Sequence, residues 1–284
     1  MPERKEGQNR ASWLLKCGKA YLNFYKTGVS HTRQTLKLAK QIRNKLADQG
    51  KGISADEPGN GILSRSEWQV LQRSRRDLLR LPIMGLLVIV LGEWLPLVAI
   101  YLTPLIPEPC RIPYQVSRTL RKLEKKRKYR LNTIATHALR LQNSDRTPAT
   151  DEHSVRLAAA AEGIMDPETK VGKSGGIPMS QAIVPPSASA DLSLYHLLLL
   201  SARLDCHPRI LDTLYLTPPK WLLQRSVGKK LAYLAEDDWL IQRDGGVQRL
   251  EKEELQRACV ERGIDVLEKS EGEQRRLLSL WYKM

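Results

Sequence analysis

The chain has 284 residues, with 46 Lys and Arg against 31 Asp and Glu, for a formal net charge of +15. That length holds one or two domains, and that charge implies a polyanionic partner, either nucleic acid or an anionic lipid surface. The four cysteines (Cys17, Cys110, Cys206, Cys259) are never within four residues of one another and the five histidines lack an HExxH spacing, which argues against a zinc knuckle, a redox pair or any other metal site. No cofactor is expected, and with a single phenylalanine, Phe24, aromatic base-stacking platforms are disfavoured.

Residues 1–62 read as a basic amphipathic segment and a linker. Between 11 and 47 there are eight basic residues and no acid. Leu15, Leu22, Val29 and Leu36 recur at heptad spacing, and Leu38, Ile42 and Leu46 at spacing four. The pattern predicts one basic helix, or two broken near Gly28, lying on a membrane surface. The rival reading is a mitochondrial transit peptide, which the absence of acids fits and the length does not. A further presequence ahead of residue 1 stays open. Residues 48–62, rich in glycine and acids, form the linker.

Residues 63–113 read as a membrane-entry helix and a proline-rich span. Ser64 and Glu67 have capping-box spacing, so a helix is predicted from Ser64 with Trp68, Leu71 and Leu78 on its apolar side. The run Leu81 to Ile106 then places 26 residues in sequence with one formal charge, Glu93. About 20 apolar residues suffice to cross a bilayer as a helix. The basic residues Arg80 and Arg111 at its ends fit an anchored span better than a buried soluble helix. Pro82, Pro96 and Pro104 interrupt it, and each frees a carbonyl that needs another partner. Glu93 is read either as an ion- or proton-coupling carboxylate or as a structural acid bonded to a freed carbonyl or another subunit. Asp77, among Arg73, Arg75, Arg76 and Arg80, is the second coupling candidate. Its bland reading is a surface ion pair worth under about 1 kcal/mol.

Residues 114–142 are predicted as a basic helix. Arg118, Arg121, Lys122, Lys125, Lys126, Arg127, Lys128 and Arg130 are its eight cations, against the single acid Glu124. Such a run is read as a solvated face, as a contact for anionic headgroups at about 1 kcal/mol per residue, or as a contact for RNA phosphate. Residues 143–190 read as a flexible linker with one short helix at Val155 to Glu162. Gly172-Lys173-Ser174 resembles the end of a phosphate loop, but Pro167 stands where that loop needs glycine, so an NTPase is rejected.

Residues 191–284 read as a helical domain. Asp191 is the expected cap of an apolar helix over Leu192 to Leu204. Pro218 and Pro219 open another helix, with Trp221, Leu222, Leu231 and Leu234 as core residues. The next helix ends at Gly245-Gly246. Two short helices follow, the first carrying Leu250, Leu255, Ala258 and Cys259 and stopped by Gly263, the second carrying Leu277, Leu280 and Trp281. This helix–extended–helix form is shared with small nucleic-acid-binding modules, which keeps a soluble nucleic-acid-binding protein as a third reading.

The run Asp237-Asp238-x-Leu240-Ile241, Gly245, Leu250-x-x-x-Glu254-Leu255-x-x-Ala258-Cys259-x-x-Arg262-Gly263 and Leu277-x-x-x-Trp281 resembles the C-terminal domain of the LETM family. The stretch Asp77-Leu78-x-Arg80-Leu81-Pro82 with Glu93-x-Leu95-Pro96 resembles that family's membrane signature. The resemblance covers most of residues 12–142 and 191–284. No EF-hand loop is present, as in the short fungal-type members. It implies an all-α protein with a single transmembrane helix, in the mitochondrial inner membrane, with the C-terminus in the matrix. It further implies binding of mitochondrial ribosomes and support of protein insertion and cation homeostasis. The alternative it carries is potassium/proton or calcium/proton exchange through Glu93, which one span per chain could support only as a homo-oligomer. Mitochondrial ribosomes and anionic inner-membrane lipid are the expected partners. No constellation supports hydrolysis, redox or group-transfer chemistry.

Overall fold

The computed structural model describes residues 9–48, 63–74, 113–144, 152–162, 192–214 and 216–283, together with Pro82 and Leu86. All regular structure among the described residues is helical, so the fold class is all-α. The chain divides into two compact units, Met1–Thr119 and Leu120–Met284.

In the first unit, α1 (Arg10–Asp48) is one continuous 39-residue helix. It is not broken at Gly28, whose carbonyl accepts the Thr32 hydroxyl at 2.9 Å. Among its described side chains the buried positions are Cys17, Gly28, Thr32, Ala39, Ile42 and Leu46, while Leu38 is exposed. Among the described side chains this buried seam is therefore built largely from small residues, and a search for leucines alone finds only Leu46 of the six. Helix α2 covers the described residues 65–74. The capping box forms: the Glu67 N–H donates to Ser64 Oγ at 3.3 Å and the Ser64 N–H donates to Glu67 Oε2 at 3.0 Å. Ile42 and Leu46 of α1 pack with Leu63, Val70 and Leu71, and Arg43 Nη2 donates to Ser74 Oγ at 3.1 Å.

Among the described residues no helix is long and apolar enough to cross a membrane. The run 81–106 lies outside them except for Pro82 and Leu86, and Asp77 and Glu93 lie outside them as well.

The second unit continues α3 (Pro113–Thr136), which enters with proline at its first position. It adds α4 (Ala138–Ser144), α5 (Glu152–Glu162), α6 (Leu194–Leu204), α7 (Arg209–Thr213), α8 (Lys220–Arg243), a 3-10 turn (Val247–Arg249), α9 (Lys252–Glu261) and α10 (Glu271–Lys283). α6 is the centre. Tyr195, Leu197 to Ala202 and Leu204 are buried, so the helix is covered on most of its circumference. α8, α5 and α4 pack on it, and α9 pairs with α10. The short helix expected near 155–162 begins at Glu152 and is part of this core through Leu157, Ala158 and Ala161.

Two details differ from the sequence expectations. α6 is capped by Ser193, whose Oγ accepts the His196 N–H, so it starts two residues later than predicted. Trp221 is exposed, whereas Leu223, Val227, Leu231 and Leu234 face the core. The apolar phase of α8 begins at Leu223, and a tryptophan in its first turn falls on the opposite side. α8 runs unbroken to Arg243 and ends as expected: Gly245 and Gly246 have φ of 112° and 77°, and the Gly246 N–H donates to the Ile241 carbonyl at 2.8 Å.

Candidate functional site

The eight cations expected on one basic helix divide between two faces of α3. At 100° per residue, Arg118, Arg121, Lys122, Lys125 and Lys128 share one side, and Arg127 and Arg130 lie opposite with Leu120, Leu123 and Ile134. Arg121, Lys122, Lys125 and Lys128 are exposed, and Arg118 is half-buried. Tyr129, also exposed, lies among them.

The inward arginines fasten the helix. Arg127 is buried, pairs with Glu124, and donates through Nη2 to the Val260 carbonyl at 2.7 Å. That carbonyl belongs to the last turn of α9 and also accepts the Gly263 N–H at 3.1 Å, and a cation there faces the negative end of the helix dipole. Arg130 lays its guanidinium fork on Asp212, with Nε at 3.0 Å from both oxygens and Nη2 at 2.6 Å from Oδ2. Its Nη1 reaches Asp205 at 2.8 Å and its Nη2 the His207 carbonyl at 3.0 Å. Lys126 pairs with Asp205 at 2.6 Å. Lys126, Arg127 and Arg130 therefore hold α3 against the core, which leaves five cations for an outside partner.

Asp205 closes α6 in the left-handed conformation, φ 55°, donating its N–H to Ser201. Behind it, Ser201 Oγ lies 2.6 Å from His207 Nδ1, and His207 Nε2 lies 3.0 Å from Asp212 Oδ1. Ionised Asp212 can only accept, so Nε2 carries the proton and Nδ1 accepts from the serine. Burial lowers the His207 pKa, and Arg130 beside it adds to that, against the pull of Asp212. For Asp212 burial alone would raise the pKa, but hydrogen bonds from Arg130 and His207 outweigh it and hold the carboxyl below its ordinary value. Ser201 is completely buried. The set orders the α6–α7 loop, and a substrate has no path to its hydroxyl.

The family-pattern residues converge on a second, buried network. Arg262 is fully buried. Its Nε donates to Asp238 Oδ1 at 3.0 Å, its Nη2 to Asp237 Oδ2 at 2.7 Å and to Asp238 Oδ1 at 2.6 Å, and its Nη1 to the Ala258 carbonyl at 3.0 Å. Trp281 Nε1 donates to Asp238 Oδ2 at 3.0 Å and the Tyr282 hydroxyl to Oδ1 at 2.7 Å. Burial works to lower the Arg262 pKa, but Asp238 and Asp237 more than offset it and hold the guanidinium charged. Burial pushes the Tyr282 phenol well above its usual value. Leu255 and Cys259 are buried on α9, and burial raises the Cys259 thiol to about 11. Glu254 stands in the first turn of α9, where a carboxylate suits the helix dipole. Gly263 has φ of 73°, and a Cβ there would lie 2.7 Å from the Arg203 carbonyl oxygen. These residues build the frame of the unit and not an exposed contact surface.

Several residues that matter were not singled out by sequence. Arg203 is half-buried near Arg127, and desolvation first, then that neighbour, lowers its pKa to about 10. Arg275 of α10 donates to the Val247, Gln248 and Leu250 carbonyls at 2.7, 3.0 and 2.9 Å, and so clamps the 3-10 turn. Among the described residues no group of three or more His, Cys, Asp or Glu side chains could hold a metal ion. Cys17, Cys206 and Cys259 are free thiols.

A family model described as LETM1-like, RBD, the ribosome-binding domain, matches residues 63–284. No curated protein and no solved structure matches the chain.

Proposed function

The chain belongs to the LETM1-like ribosome-binding-domain family, and from that membership we propose that it is a receptor for mitochondrial ribosomes. In this reading the run 81–106 is a single span of the inner membrane, and the second unit faces the matrix. There it holds ribosomes near the bilayer and supports insertion of newly made proteins and cation homeostasis. The match over residues 63–284 carries the proposal. The exposed face of α3 supports it physically. Arg118, Arg121, Lys122, Lys125 and Lys128 form a cationic stripe on a helix that Arg127 and Arg130 fix in place. Ribosomal RNA is a polyanion, and each phosphate neutralised changes the logarithmic salt slope of binding by about 0.7–0.9.

The test is cosedimentation of the purified full chain with mitochondrial ribosomes across a salt series. Wild type is expected to pellet at low salt and to be released steeply as salt rises. The Arg121→Glu, Lys122→Glu, Lys125→Glu, Lys128→Glu variant is expected to stay in the supernatant while keeping its helical spectrum. Each single Lys→Gln change should flatten the slope by about one unit or less. A wild-type chain that does not pellet at low salt ends this reading.

The exchange reading rests on Glu93, the one formal charge in the apolar run, and requires a homo-oligomer to enclose an ion path. Potassium/proton exchange in liposomes, wild type beside Glu93→Gln, separates the two. Exchange by wild type alone would make the span an ion path and ribosome binding a second role. Absence of exchange in both, with ribosome binding intact, leaves the span as an anchor.

A further inference from the structure

Between α6 and α8 the chain turns apolar side chains outward. Ile210, Leu214, Leu216 and Trp221 are 68, 58, 56 and 64% exposed. α7 buries none of its residues. Single exposed leucines need no explanation, but four large apolar residues this close in sequence, one of them tryptophan, mark a contact surface.

The charge around them has one sign. From residue 206 to 235 the fixed charges are Arg209, Asp212, Lys220, Arg225, Lys229 and Lys230. The only acid, Asp212, is turned onto Arg130 and His207. Arg209, Arg225 and Lys229 are exposed. Trp221, Arg225 and Lys229 stand four residues apart on α8, so they share one face of it.

We propose that this face, Ile210, Leu214, Leu216 and Trp221 with Arg209, Arg225 and Lys229, docks on the surface of an anionic lipid bilayer. Aliphatic side chains and an indole at the boundary of headgroups and acyl chains, with cations level with the phosphates, are the chemistry of an interfacial membrane contact. Ile210 lies on the five-residue α7, Leu214 and Leu216 follow it, and Trp221 stands in the first turn of α8. The proposal does not depend on ribosome binding. It gives the second unit its own contact with the bilayer, through residues other than the cationic stripe of α3.

The test measures quenching of Trp221 by lipids brominated on their acyl chains. The full chain is reconstituted in vesicles of phosphatidylcholine alone or mixed with phosphatidylglycerol. The Trp221 signal is the difference between wild type and Trp221→Phe. In the mixed vesicles this signal is expected to be quenched, and in neutral vesicles to be quenched several-fold less. The Leu214→Ser, Leu216→Ser variant, altered only at exposed positions, is expected to lose most of the quenching with its helical spectrum unchanged. A Trp221 signal that bromine does not reach in mixed vesicles, or reaches equally in neutral ones, overturns the proposal. So does a Trp221 shielded from acrylamide before any lipid is added, because a protein surface would then cover the face.

Discussion

Arg262 sits between two aspartates with all three side chains out of water, and the geometry decides what the cluster is for. Asp238 receives Arg262, Trp281 and Tyr282, and Asp237 shares the Nη2 of the guanidinium with it. Removing the cation leaves two adjacent buried carboxylates without their charge partner, which costs about 3–5 kcal/mol in comparable buried pairs. Arg262→Met is therefore expected to unfold in urea at a much lower midpoint than wild type. Arg249→Met, at an exposed position, should stay within about 0.5 kcal/mol of wild type. Equal midpoints for the two variants would mean that the network adds no stability. The sequence pattern named Asp237, Asp238, Arg262 and Trp281 together, yet it did not tell their location. A pair of acids on a helix normally reads as a solvated face, and the arginine that desolvates them lies 24 and 25 residues further on.

At the scale of elements, α3 shows where a periodic reading stops. Its basic residues occupy both faces, so periodicity alone does not distinguish a solvated side from a packed one. The acceptors that turn Arg127 and Arg130 inward lie 75 to 133 residues away in sequence. Local signals were legible where the partners were local, as in the Ser64–Glu67 capping box and the Gly245-Gly246 end of α8. The α6–α7 loop that receives Arg130 makes a pH prediction. His207 has a lowered pKa in the fold, so below its ordinary 6.5 the unfolded chain takes up a proton that the folded one resists. Stability contributed by neutral His207 is present above that value and is lost as pH falls toward the lowered one. Asp212, also lowered, loses its contribution at more acidic pH, below its ordinary 3.8. The urea midpoint of wild type is expected to fall between pH 7.5 and pH 5, and that of His207→Gln to change less over the same interval. Parallel pH curves would remove His207 from the acid response.

At the scale of the whole molecule, the formal charge of +15 is only partly available to a partner. Arg127, Arg130 and Arg262 are consumed in the frame of the second unit, and Lys126 is paired with Asp205. What stays outside includes the exposed cations of α3 and those near Trp221, two sets of residues of which the second stands among exposed apolar side chains. Binding of RNA to the first should vary steeply with salt, whereas insertion of the second adds apolar burial that salt does not screen. Attachment through either surface alone would be reversible, and attachment through a spanning run of 26 residues would not be. Alkaline carbonate strips proteins held by surface charge and leaves spanning ones in the membrane. The full chain is expected in the carbonate pellet of mitochondria, and a chain deleted for residues 81–106 in the extract. Because the deletion keeps both cationic surfaces, it is still expected to sediment with ribosomes. If the full chain itself is extracted, the run 81–106 is not a span, and a soluble RNA-binding protein becomes the better reading of the same two surfaces.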